Sequence, residues 1–119
     1  MQNWTGVPWT RHTFSLDHGE WSGDQVPPEH IPRVFLDPVT GDARPGTAFF
    51  KSESDGLNTG VEGNCDYNAD NGDGNFHMFW DNPAEGGNSF NAQAPPRYQL
   101  FWGDPGGGDA HITIDIRRN

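Results

Sequence analysis

Basic residues are scarce in this chain. Seven Lys and Arg stand against 17 Asp and Glu in 119 residues, giving a formal net charge of −10. Nucleic-acid binding rests on Lys and Arg neutralising phosphates, so nucleic acid is not an expected partner. The placement of charge is sharper still. Between Lys51 and Arg97 there is no basic residue, while Glu53, Asp55, Glu62, Asp66, Asp70, Asp73, Asp81 and Glu85 all lie there. Anionic membranes attract basic segments at about 1 kcal/mol per Lys or Arg. This region would be repelled, so any membrane it meets should be neutral or zwitterionic and should be engaged through aromatics.

Cysteine is nearly absent. Cys65 stands alone, which excludes an internal disulfide, and it reads as a small buried hydrophobe. Long apolar runs are missing too: none approaches the ~18 residues of a membrane span, and no signal peptide is recognisable. Asn3-Trp4-Thr5 fits the glycosylation triplet; without a signal peptide it is taken as chance. Sustained helical periodicity is lacking as well. Gly (16) and Pro (10) are plentiful and aromatics make up 13%. The expectation is one all-β domain over 1–119, turn-rich, with a core built largely on Phe and Trp.

Alternation places the strands. Arg11 to Leu16 reads as a strand with His12, Phe14 and Leu16 on one side and Thr13 and Ser15 on the other. Residues 22–46 read as a long ordered loop with at most one short edge strand, at Val34-Phe35-Leu36. Thr47 to Ser52 is an expected strand, and Ser54-Asp55-Gly56 and Thr59-Gly60 are turn signals. Residues 61–81 should form a β-hairpin: Val61–Asn68, then the turn Asn71-Gly72-Asp73-Gly74, then Phe76–Asp81. That return strand opens FHMFWDNPAEGGNSF, which carries large groups on both faces and leaves open what covers the second. Tyr98, Leu100 and Trp102 should share a face opposite Arg97, Gln99 and Phe101. After a turn at Asp104–Gly108, Ala110 to Arg117 should bury Ile112, Ile114 and Ile116. Six or seven short strands of this kind point to a two-sheet antiparallel β-sandwich.

No pattern of catalysis or metal binding emerges. Asp66, Asn68, Asp70 and Asp73 resemble a calcium loop, but its Gly and Glu positions hold Asn71 and His77; a hairpin turn accounts for them better. The histidines at 12, 18, 30, 77 and 111 show no paired ligand spacing. No GxSxG elbow is present. No catalytic residue, metal ligand or cofactor is therefore expected, and the protein reads as no enzyme. The tryptophans are the anomaly. Trp suits surfaces where one edge stays wet, membrane headgroups included. Trp80 and Trp102, in strand patterns, are the expected core pair, and Trp4, Trp9 and Trp21, beside turns, are expected to be exposed.

With these segments placed, the chain resembles the aegerolysin family, especially its small bacterial insecticidal and haemolysin-like members. Asn3-Trp4-Thr5-Gly6 and Trp21 carry the beginning of the likeness. SESDGLNTGVEG (52–63), the hairpin, FHMFWDNPAEGGNSF and RYQLFWGDPGGGDAHITIDI carry the rest, in the family's order. The resemblance implies an aegerolysin/actinoporin-like β-sandwich that binds sphingolipid-type membrane lipids and acts with a larger pore-forming partner as a haemolysin-like or insecticidal toxin component. Trp21 falls where members carry a lipid-contacting Trp, and Glu62 near an acidic headgroup contact. Three departures stand out. The chain begins almost at the N-x-T-G segment, so the family's first strand is missing or replaced. Extra residues lie between Trp21 and Phe49, of which Val34–Leu36 could fill the vacant edge. Ala84 stands where many members have an aromatic.

The expected site is thus Trp4, Trp9 and Trp21 at the headgroup level, with Glu62, Asp81 and Asn82 bonding a zwitterionic headgroup. The protein would be made in soluble form, released by a non-classical route, and act at target membranes. Two alternatives remain open: a lectin-like sandwich that stacks sugars on Trp, and a protein-interaction subunit whose unpaired sheet edge takes a partner or a second copy.

Overall fold

The dipeptides Asn71-Gly72 and Asp73-Gly74 put glycine where the backbone turns left-handed, with φ of 82° and 131°. They reverse the chain between two of its three longest strands. The computed structural model describes residues 1–54, 56, 60–85, 87–103 and 112–119. Among them every regular element is a strand: β1 (Gln2–Asn3), β2 (Trp9–His18), β3 (Glu20–Trp21), β4 (His30–Ile31), β5 (Phe35–Leu36), β6 (Ala43–Arg44), β7 (Gly46–Thr47), β8 (Ser52–Glu53), β9 (Val61–Ala69), β10 (Asn75–Asn82), β11 (Ser89–Gln93), β12 (Tyr98–Phe101) and β13 (Asp115–Arg118). The expected turns through Asp55, Thr59 and 104–108, and Ala110 and His111 of the expected last strand, lie outside the described residues.

Two larger sheets form, in the orders β11-β10-β9-β2-β4 and β12-β13-β1-β7. The first is antiparallel throughout. The second is mixed, because β1 runs parallel to β13 and antiparallel to β7. Buried residues of both sheets share one cluster that includes Trp9, Ile31, Tyr67, Phe76, Met78, Tyr98, Ile114 and Ile116. This all-β arrangement is compatible with a β-sandwich. Fully burying a Phe or Met side chain contributes about 1.5–3 kcal/mol, and rings dominate here. Trp9 meets Phe76 edge-on at 5.0 Å and reaches across the core to Tyr98 at 5.1 Å, and Tyr67 stacks on Phe76.

The hairpin forms as expected, with Phe76 opposite Tyr67, Met78 opposite Cys65 and Trp80 opposite Gly63. Tyr98 is buried and Leu100 packs on the core, while Gln99 and Phe101 are exposed. Ile114 and Ile116 are buried, with Ile112 packed against them. Other readings are corrected. In β2 the pairing shifts between Arg11 and Thr13, so His12 is an extra residue in a bulge. It therefore does not share a face with Phe14 and Leu16; it lies outside, 3.5 Å from Asp66. Thr47–Ser52 is not one strand: Thr47 pairs with Gln2 and Ser52 with Trp21, and the chain between changes sheets. Residues 22–46 hold four short paired pieces, because isolated two-residue pairings leave no periodic trace. Among the described residues Phe35 and Leu36 pair only with Arg44 and Ala43, so they do not fill the vacant edge; β7 takes the place beside β1. Asn3 is fully buried and its amide donates to the carbonyls of Val7 and Pro32, which removes it as a glycan acceptor.

Candidate functional site

The outer face of the larger sheet is polar. Thr10, Thr13, Ser15 and His18 of β2 lie beside Asn68, Asp66, Asn64 and Glu62 of β9. Asn75, His77, Phe79 and Asp81 of β10 continue the rows, followed by Gln93, Asn91 and Ser89 of β11. None of these is Lys or Arg, and Phe79 is the single apolar side chain among them. Asp66 sits near the middle. Burial opposes its ionisation, but the hydroxyl and N–H of Thr13, then the Asn75 amide, outweigh that and hold its carboxyl below the usual range. Asn64 donates to the Ser15 hydroxyl and Thr10 donates to Asp70. The segment 22–46 bonds instead around Asn3, Thr5, Arg11 and Tyr67. His77 therefore stays exposed and Phe79 half-exposed.

One end of this sheet gathers four of the six expected site residues. Trp21 is half-buried on a pedestal of three rings: Phe14 at 5.7 Å, Phe50 at 6.1 Å and Trp80 at 6.2 Å. Trp80 lies on Gly63, where an added Cβ would come within 2.7 Å of its ring and 2.5 Å of Leu16. On the opposite face of the same end, Asp81 faces Glu62 directly, and His18 reaches Glu62 at 3.8 Å. Like charges set opposite each other are unfavourable unless a cation joins them. Asn82, next along β10, opens the Pro83 turn, which lies tightly over Gly60. The rim thus carries a ring on one side of the sheet and acceptors on the other.

The other two expected residues lie elsewhere. Trp9 is fully buried in the core, which corrects its expected exposure: the turn at Gly6–Pro8 feeds it inward against Phe76 and Tyr98. Trp4 lies on the outer side of the smaller sheet under the Arg117 guanidinium, 4.9 Å away. Trp102 was expected in the core but is 37% exposed, edge-on to Phe90. It follows the last residue of β12, so the strand pattern no longer governs it. The indole N–H groups of Trp4, Trp9 and Trp80 are buried without partners among the described residues.

Sequence reasoning missed two features. One is the polar outer face, foreshadowed by the alternate Asn, Asp, Thr and Ser of β2, β9 and β10. The other is the apolar hairpin β5–β6, foreshadowed by Val34, Phe35, Leu36 and Val39 between Arg33 and Arg44. Among the described residues no group of three His, Cys, Asp or Glu is placed to hold a metal, and no helix is long and apolar enough to cross a membrane. No model of a known protein family matches the chain, and no curated protein matches it.

Proposed function

We propose that the protein is a non-enzymatic lipid-recognition protein of the aegerolysin type, binding zwitterionic, sphingolipid-type membranes. The observation that carries this reading is Trp21, a half-exposed indole fixed by three rings at the rim where Glu62, Asp81 and Asn82 also lie. The ring face suits a quaternary ammonium, and on the other side of the sheet the facing pair Glu62 and Asp81 would gain from a cation between them. The indole contributes apolar area at about 25 cal/mol per Å², so one Trp gives weak monomer binding. Avidity or a larger pore-forming partner, as the resemblance implies, would then be needed for membrane damage in a toxin role. Vesicle pelleting across phosphatidylcholine, sphingomyelin–cholesterol and phosphatidylserine compositions tests this. Binding to the sphingomyelin vesicles supports it, and failure to bind any sphingolipid-containing vesicle removes it.

A second reading is favoured by Phe79, the one apolar side chain among the amides, hydroxyls, carboxylates and imidazoles of a face whose paired residues include no Lys or Arg. Such a surface fits a neutral glycan, the ring stacking on a sugar and Asn64, Asn91 and Gln93 bonding hydroxyls. A glycan array separates the two readings: selective binding lost in Phe79→Ala and kept in Trp21→Ala would favour the lectin.

A further inference from the structure

The hairpin β5–β6 is the most apolar projection on the described surface. Phe35 is 53% exposed, Leu36 71% and Val39 90%. The hairpin joins neither larger sheet, yet it is firmly built. The Asp37 N–H donates to the Asp42 carbonyl and the Gly41 N–H to the Asp37 carbonyl. Val39 and Thr40 donate their N–H groups to the Asp37 carboxylate, and Asp42 donates its own to the Thr40 hydroxyl. Pro38 has no N–H. Every N–H from 37 to 42 thus has a partner inside the hairpin. Water would satisfy these groups at no cost, whereas a lipid interface would not, so internal satisfaction matters most where water is thin.

Charge agrees with this. Asp37 meets Arg44 at 3.5 Å. Arg33 and Arg44 balance Asp37 and Asp42, so residues 33–44 carry no net charge in a chain of −10. This segment approaches a membrane without the repulsion met by the acidic stretch 53–85. Area narrows the occupant further. The three side chains expose on the order of 350 Å², well under the ~800 Å² per partner of a stable protein interface. Insertion at the headgroup level has no such threshold, since a few apolar side chains suffice.

We propose that the hairpin 35–44 is a membrane anchor that places Phe35, Leu36 and Val39 at the headgroup level of a zwitterionic bilayer, with Arg33 and Arg44 facing the lipid phosphates. It rests on the lipid reading above but assigns the insertion to residues away from the Trp21 rim. Cys65 is fully buried, so Val39→Cys supplies one accessible thiol for an environment-sensitive dye. With phosphatidylcholine–sphingomyelin–cholesterol vesicles, the labelled full chain should show a blue shift and quenching by shallow lipid-borne quenchers. The double variant Leu36→Asp, Val39→Asp should melt like the parent and partition at least about tenfold more weakly. If the parent pellets while the dye still reports water and the double variant pellets equally, the anchor is overturned and the lipid reading stands. If the parent pellets with no vesicle, both fall. If the dye shifts without vesicles and the double variant abolishes a dimer seen by sedimentation velocity, the hairpin joins two copies instead.

Discussion

The Tyr98 hydroxyl donates to the Asp73 carboxylate at 2.6 Å, tying an edge strand of one sheet to the hairpin turn of the other. Asn71 donates to the same carboxylate and Arg118 stands 3.7 Å away. The Tyr98 bond, then Asn71, holds the Asp73 carboxyl below its usual range. Tyr98→Phe keeps the ring against Trp9 and deletes the clasp. Its thermal midpoint should fall by a few degrees, with little change in circular dichroism at low temperature.

The acid limb of stability should follow Asp66 and Asp73. Both carboxyls are depressed in the folded state. They favour folding above the ordinary carboxylate range near pH 4, and that contribution is lost as pH falls through their lower folded values. Urea midpoints measured from about pH 5 down to 2 should therefore decline. Tyr98→Phe and Thr13→Val should each flatten the decline, because each removes a donor that holds one carboxyl down. An unchanged slope in both variants would count against these bonds.

Asn3 is a buried polar knot. Its amide donates to Val7 and Pro32, and its oxygen accepts from the N–H and hydroxyl of Thr5. Asn3→Ala strands those partners without water. A loss of about 2–4 kcal/mol is expected from the unsatisfied groups, readable as a lower urea midpoint. Asn3→Asp should not restore it, since a carboxylate cannot donate to the two carbonyls.

Gly63 governs the aromatic pedestal from below. Gly63→Ala would press on Leu16, on the Trp80 ring and on the Ser15 carbonyl. A cost of about 1–3 kcal/mol is expected from overpacking. Because Trp80 carries Trp21, the tryptophan emission should shift as well. A destabilised protein with unchanged emission would separate the two effects.

The sequence made some of this fold legible and concealed the rest for physical reasons. Phe76, Met78 and Trp80 lie in a long pairing, and Ile112, Ile114 and Ile116 keep the same period of two although Ile116 alone of them lies in a strand, so their inward faces were readable. His12 was not, because one bulge residue reverses the parity of everything before it. Trp9 and Trp102 exchanged their expected environments because burial near a strand end depends on the opposite sheet, here Tyr98, which lies far along the chain. In the site, Glu62, Asp81 and Asn82 were readable as the open end of a hairpin. The three rings under Trp21 come from β2, β10 and the link before β8, and no local pattern joins them.

Within the rim, Trp21→Ala should weaken vesicle binding about tenfold, as expected for losing one well-seated indole, and Glu62→Gln should weaken it less. Trp9→Phe should leave binding per folded molecule unchanged, since Trp9 is fully buried. Sedimentation with sphingomyelin–cholesterol vesicles, normalised to the folded fraction, checks all three.

The most direct test of the central claim is co-sedimentation of the unaltered protein with sphingomyelin–cholesterol vesicles, beside phosphatidylserine-rich vesicles at the same low salt. A lipid-recognition protein with this rim and this acidic surface should pellet with the first and stay in the supernatant with the second. Equal recovery in the supernatant with both would contradict it.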